Sequence, residues 1–136
     1  MRAVVDTGVF VSALLRRQGI TGEILSALRD GRFTLIYTTP ILVEIIDILG
    51  RDPFRTKYHI LSEDIHALIN LIRLRGELII PERVVRVCRD SKDDTCLEAA
   101  LAGGAEAIVS GDQDLLVLNP FEGILILCPS EFLTRI

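Results

Sequence analysis

Carboxylates are the residues of this sequence best suited to chemistry, and they recur in particular places. Asp6 closes a short apolar run, Glu44 lies inside an otherwise apolar stretch, Asp93 and Asp94 follow Ser91-Lys92, and Asp112 and Asp114 follow another apolar run. Carboxylates gathered at one point repel each other, and some of them stay protonated at neutral pH. A hard divalent cation removes that cost. Mg2+ or Mn2+ takes oxygen ligands, and Mg2+ keeps several waters while being held by few carboxylates plus a substrate phosphate. Such a site generates a nucleophilic hydroxide and stabilises charge on a phosphodiester in flight. The only histidines, His59 and His66, lie beside no strand end, and no Ser-His-Asp or Cys-His arrangement competes.

For four distant segments to meet, the elements carrying them must converge. Short β-rich apolar runs alternate with longer stretches of helical period, the pattern of a parallel sheet covered by helices. The strands expected are Ala3–Val5, Phe33–Tyr37, Leu78–Ile80, Ala107–Ser110 and Ile124–Leu127. Their unbroken apolar character suits strands buried on both faces. Val84–Val87 is either a further short strand or an irregular approach to the next helix. Helices are expected over Gly22–Asp30, capped by Thr21, and over Pro40–Leu49, after Thr39 and before Gly50. Two more are expected over Glu63–Arg75, from Ser62 to Gly76, and over Lys92–Ala102, from Ser91 to Gly103. The stretch around Gly50–Tyr58 reads as a basic, polar loop too short to divide the chain. In a parallel sheet Asp6, Glu44, Asp93, Asp94, Asp112 and Asp114 all fall at the carboxyl ends of strands, where open α/β folds place their ligand crevice.

Composition is compatible with this. At 136 residues the chain fits one domain, residues 1–136, able to bury roughly two-thirds of its unfolded surface. Its 49% hydrophobic content with 5% aromatics makes the core aliphatic and leaves apolar surface for a partner. A net charge of −4 argues against holding nucleic acid by bulk electrostatics, yet acids that bind metal would be neutralised at work. No apolar run reaches the roughly 18–20 residues that span a bilayer, and Asp6 comes too early for a signal peptide, so a cytoplasmic protein is expected. Cys88, Cys96 and Cys128 lack any CxxC pair and read as reduced core thiols.

Each acid also has a plainer reading. Asp6 is a plausible turn residue, and Glu44 a solvent-facing one. Asp47 fits that description better, pairing with Arg51 at i,i+4. Asp94 stands three residues after Ser91, as a capping-box partner does, and Asp93 complements the helix dipole. Asp112-Gln113-Asp114 is a possible cap for Leu115–Leu118. What the plainer readings leave unexplained is the convergence on one edge of one sheet.

These residues carry a resemblance. Val4-Val5-Asp6-Thr7-Gly8-Val9-Phe10-Val11-Ser12-Ala13-Leu14 resembles the opening of PIN-domain proteins, which usually read D-T-N before a hydrophobic turn. Thr39–Ile45 resembles their second motif, a helix with an inward glutamate. Asp90-Ser91-Lys92-Asp93-Asp94-Thr95-Cys96-Leu97-Glu98-Ala99-Ala100 is similar to the third, and Ile108-Val109-Ser110-Gly111-Asp112-Gln113-Asp114-Leu115-Leu116 to the fourth. Order and spacing match over nearly the whole chain, including Phe54–Tyr58. The nearest subgroup is the toxin components of prokaryotic toxin–antitoxin systems, the VapC-like ribonucleases.

The resemblance implies a three-layer, Rossmann-like parallel sheet of four to five strands and a Mg2+- or Mn2+-dependent endoribonuclease. It makes Asp6, Glu44, Asp94 and Asp112 the catalytic, metal-binding acids, with Asp93 and Asp114 in support. Thr7 and Ser110 would orient carboxylates or a bound water. RNA is then the substrate, a cognate antitoxin the partner and a homodimer the expected assembly. Arg16, Arg17, Arg51, Arg55, Lys57 and Lys92 are candidate contacts to the RNA backbone. Gly8 departs from the family, standing where an asparagine amide would hold the first aspartate. It motivates an alternative, a PIN-like binding module without catalysis. A haloacid-dehalogenase-like phosphatase fits less well, because its second aspartate would fall at Gly8.

Overall fold

The computed structural model describes the backbone of residues 1–136 and every side chain except that of Phe54. Five strands form one sheet: β1 Arg2–Val5, β2 Thr34–Tyr37, β3 Gly76–Leu78, β4 Ala107–Val109 and β5 Leu125–Leu127. All four pairings are parallel, and the order is β3-β2-β1-β4-β5. Strand order therefore reverses between β1 and β4, which is where a doubly wound sheet opens a crevice at its carboxyl ends. Ala3, Val4 and Val5 of β1 and all of β4 are buried, as expected for central strands covered on both faces.

The helices are α1 Thr7–Leu15, α2 Ile20–Arg29, α3 Thr39–Leu49, α4 Asp52–Tyr58, α5 Ser62–Arg75, α6 Ser91–Gly103, α7 Gln113–Leu116 and α8 Pro129–Leu133. Right-handed crossovers set the layers: α1 and α2, then α3 to α5, lie on one face while the chain moves outward to β3. The return to β4 puts α6 on the other face. α8 comes back against α2, and its Phe132 meets Phe33 edge-on with centroids 5.1 Å apart. The three-layer α/β architecture is the expected one.

Several details differ from the sequence reading. Residues 7–15, where no helix is expected, form α1, and residues 52–58, expected as a loop, form α4. The third strand begins two residues early. Gly76 passes directly from α5 into β3, and only glycine fits there, since a Cβ would collide with the Ile72 carbonyl oxygen and lie 2.7 Å from the Tyr37 ring. Residues 79–90 form no strand; Val85 is buried while Val84 and Val87 stay exposed. Three caps move back one residue, Ser62 of α5 yielding to Leu61, and α2 starts after Gly19 with Thr21 inside its first turn. The Thr38 hydroxyl caps α3, and Asp90, rather than Ser91, caps α6 by accepting from the Lys92 N–H at 3.0 Å. Among the described residues, no helix is long and apolar enough to cross a membrane.

Candidate metal centre

The centre lies on the seam where strand order reverses. Asp6 leaves β1 with its N–H on the Val109 carbonyl at 2.9 Å, and Ser110 leaves β4 with its N–H on the Leu127 carbonyl at 3.0 Å. The buried Ser110 hydroxyl donates to Asp6 Oδ2 at 2.9 Å and accepts from the Asp112 N–H at 3.0 Å. One side chain thus orients the first acid and the loop that carries the next. Asp112 in turn accepts from the Asp114 N–H at 2.9 Å, capping α7.

A second pair of elements brings the remaining acids. α6 presents Asp93 and Asp94 from its first turn, both nearly buried, at 7% and 5% exposure. Their surroundings differ. Asp93 turns toward the seam, where its carboxylate and those of Asp112 and Asp114 offer oxygens within 4.8 Å of one another. Asp94 Oδ1 instead accepts the N–H groups of Val87 and Cys88, at 3.1 and 2.9 Å. It ties down the segment that enters α6. Glu44, half-buried on α3, faces Asp6 and Lys92 and accepts from the Thr7 hydroxyl. Asp47, one turn on, is exposed and paired with Arg51 at 2.9 Å.

Crowding registers in the ionisation of these groups. Asp93 is pushed up to about 6, first by burial and then by the charges of Asp112, Asp6, Asp90 and Asp114. Burial also raises Asp6, which the Asp112 charge reinforces and the Ser110 hydrogen bond opposes. Glu44 is raised by burial and by Asp6 and Asp90, against the pull of Lys92 and Thr7. These three carboxylates thus hold their protons more tightly than free ones do, and a divalent cation would reverse that. The neighbouring thiols are inert by the same physics. Burial and Asp94 push Cys88 up to about 12, and burial raises Cys96, whose Sγ lies 3.9 Å from Asp6.

The rim carries cations. Arg89, 88% exposed along its side chain, pairs with Asp114 at 2.9 Å. Nothing in the sequence distinguishes this arginine from other surface arginines. Of the candidate RNA contacts, Lys92 is the one that faces an acid of the centre. Arg17 pairs with Asp64 at 2.8 Å, beside a separate cavity of about 320 Å³ between α1, α2 and α5. Arg55 donates to the Ser62 hydroxyl at 2.7 Å and Lys57 stands 5.3 Å from the Tyr58 ring centre. Arg16 ends α1, exposed.

A family model described as PIN domain matches residues 2–114. The chain belongs to the PIN-domain family. Members of this family are generally nucleases, and the acidic cluster suits the divalent metal they typically use. This PIN domain is 30% identical over 119 residues to the uncharacterized protein MJ1680 of Methanocaldococcus jannaschii, covering 88% of this chain and 76% of that protein. Its fold is similar to PAE2754 of Pyrobaculum aerophilum, with a TM-score of 0.61 at 11% identity over 99% of this chain and 88% of that one. Two further likenesses are VapBC2 of Rickettsia felis bound to a promoter DNA fragment and VapBC-1 of nontypeable Haemophilus influenzae. Their TM-scores are 0.59 and 0.60, at 12% and 14% identity, over 93% and 96% of this chain and 97% and 99% of theirs. At such identities these structures speak for the fold alone.

Proposed function

We propose that this PIN domain is a Mg2+- or Mn2+-dependent endoribonuclease and the toxin component of a toxin–antitoxin pair. The observation that carries the reading is Asp93, buried and turned toward Asp6, Asp112 and Asp114 so that its carboxyl sits at about 6. Asp6, Glu44, Asp93 and Asp112 would hold the cation, with Asp114 beside them. This all-carboxylate set fits a hard metal. The resemblance of residues 90–100 to the third PIN motif implies Asp94 as the catalytic acid, but the hydrogen bonds of Asp94 favour a positioning role, holding residues 87 and 88 behind the centre.

Bound there, a divalent cation supplies Lewis acidity and neutralises charge on a phosphodiester attacked in line by water. The chain does the rest. Ser110 keeps Asp6 aimed at the seam, and Thr7 steadies Glu44. Lys92 and Arg89 offset the negative rim and draw the RNA backbone inward.

The VapBC structures support an antitoxin as partner, because VapBC-1 and VapBC2 share this fold. The reading places residues 1–136 in one cytoplasmic domain acting as a homodimer, for which exposed Leu78, Ile80 and Val84 supply apolar surface.

The test is ribonuclease assay of purified protein with Mn2+ beside Asp6→Asn and Asp112→Asn. Each substitution should cost about 100-fold or more in rate. Activity that survives both belongs to a contaminant and sinks the enzyme reading. A wild-type protein that binds RNA without cutting it favours the binding module that Gly8 suggests.

A further inference from the structure

Beside the acids runs an open crevice of about 310 Å³, bounded by Asp6 and Asp112, by Gly8 and Gly111, and by Ser12 and Thr21. We infer that it seats the ribose of the nucleotide flanking the scissile phosphate, and that the Ser12–Thr21 hydroxyl pair reads its 2′-OH. The inference rests on the nuclease reading and adds a subsite that the metal centre does not specify.

Three features point the same way. Charge comes first. The charged side chains lining the crevice are Asp6 and Asp112, which the proposed cation would engage, and no lysine or arginine lines it, so no side-chain cation is left for a second phosphate while a neutral sugar fits. Shape comes next. A Cβ at Gly111 would meet nothing within 4 Å, and one at Gly8 only Asp6 Oδ2 at 3.9 Å, so both walls are bare backbone. The volume lies at the small end of ligand pockets, about 300 Å³ upward, and suits one nucleoside.

Hydrogen bonding completes the case. Ser12 and Thr21 share one bond at 3.2 Å in which either oxygen can donate. Two hydroxyls bring two O–H donors and several lone pairs. Their mutual bond uses one donor, and the other donor and the spare lone pairs remain for a ligand. A 2′-OH is itself donor and acceptor, and it distinguishes RNA from DNA. Ser12 stands one turn beyond Gly8 on α1, about 9 Å along the helix axis from Asp6, so the hydroxyl pair lies beside the acids rather than among them.

The test is a coupling cycle. Short fluorogenic RNAs, all-ribose or with one 2′-deoxy nucleotide at each position around the cut, are compared with Mn2+ on wild type and Ser12→Ala/Thr21→Val. In wild type, a single deoxy position should raise KM about fivefold, the scale of one hydrogen bond. The double variant should show the same rise on all-ribose RNA and no further rise at that position. Its kcat and Mn2+ affinity should stay within about twofold of wild type. Continued discrimination by the variant, or equal loss at every position, overturns the subsite. Gly111→Leu provides a second arm that does not disturb the hydroxyls. Filling the crevice should raise KM about tenfold or more while the Mn2+-induced rise in Tm is retained; an unchanged KM counts against the inference. If wild type binds RNA without cutting it, the same cycle is read on Kd by anisotropy. Mn2+ binding with no RNA binding removes the nuclease reading and the subsite together, whereas turnover without 2′-OH coupling removes the subsite alone.

Discussion

Replacing Asp93 by asparagine should stabilise the metal-free protein at neutral pH. Asp93 is nearly buried, and its carboxyl is pushed up to about 6 by burial and by four neighbouring aspartates. Because the folded value lies above the unfolded one, the folded state holds the proton more tightly. The stability this confers is complete below the unfolded value near 3.8 and is lost as pH rises through about 6. The gap corresponds to about 3 kcal/mol for carrying the charge at pH 7, trimmed to about 2 kcal/mol by solvent screening through the open side of the crevice. For a chain of this length that is about 8 °C in Tm. The assay is thermal and urea unfolding of EDTA-treated wild type and Asp93→Asn between pH 4 and 7.5. Because Asp64 is held low by the Leu61 N–H and Arg17, and Glu77 by Arg2, both shift stability the other way, and the readout is the difference between the two proteins. The difference should be small at pH 4 and grow in favour of the variant through pH 6. Mn2+ at 100 times its Kd should then add about 2.7 kcal/mol to wild type and little to the variant. A pH-independent difference, or a variant less stable than wild type at pH 7 without metal, would refute the reasoning.

The neighbouring acid should behave in the opposite way. Asp94→Ala strips the acceptor from two backbone N–H groups and should cost about 2–3 kcal/mol, with faster hydrogen exchange at Val87 and Cys88. Ser110→Ala removes the hydrogen bond that lowers Asp6, so the acid limb of the pH–rate profile should move to higher pH and activity fall about 10–100-fold. Gly8→Asn should be tolerated, since its Cβ would make an ordinary 3.9 Å contact, and calorimetry should show Mn2+ bound a few-fold tighter. Unchanged affinity would mean that the glycine leaves the grip on Asp6 unaffected.

The legible part of the molecule was the part where local pattern and burial agree. β1 and β4 are continuous apolar runs ended by acids, and both are central strands ended by acids. α1 was hidden because Val9–Leu15 is apolar apart from Ser12, and a helix with so little polar face shows little period to find. Gly76 stops a helix, as read, yet begins a strand at once, and the close approach of Tyr37 that requires it is a tertiary fact. The choice between Asp93 and Asp94 turns on helix phase. Adjacent residues on a helix point about 100° apart, so which one faces the seam depends on how α6 docks against β1 and β4. Arg89 was illegible for a simpler reason: its partner Asp114 lies 25 residues on, beyond α6 and β4.

The hydrogen bond between Ser110 and Asp6 joins residues 104 positions apart, across the seam where strand order reverses. On the ribosome, β1 with its Asp6 and α3 with its Glu44 emerge long before β4. An incomplete chain can therefore fold neither the crevice nor the ring of acids, however well its first three strands pair. The charged cup is thus a late product of the chain order, gathered only when α6, β4 and the loop carrying Asp112 have docked against β1.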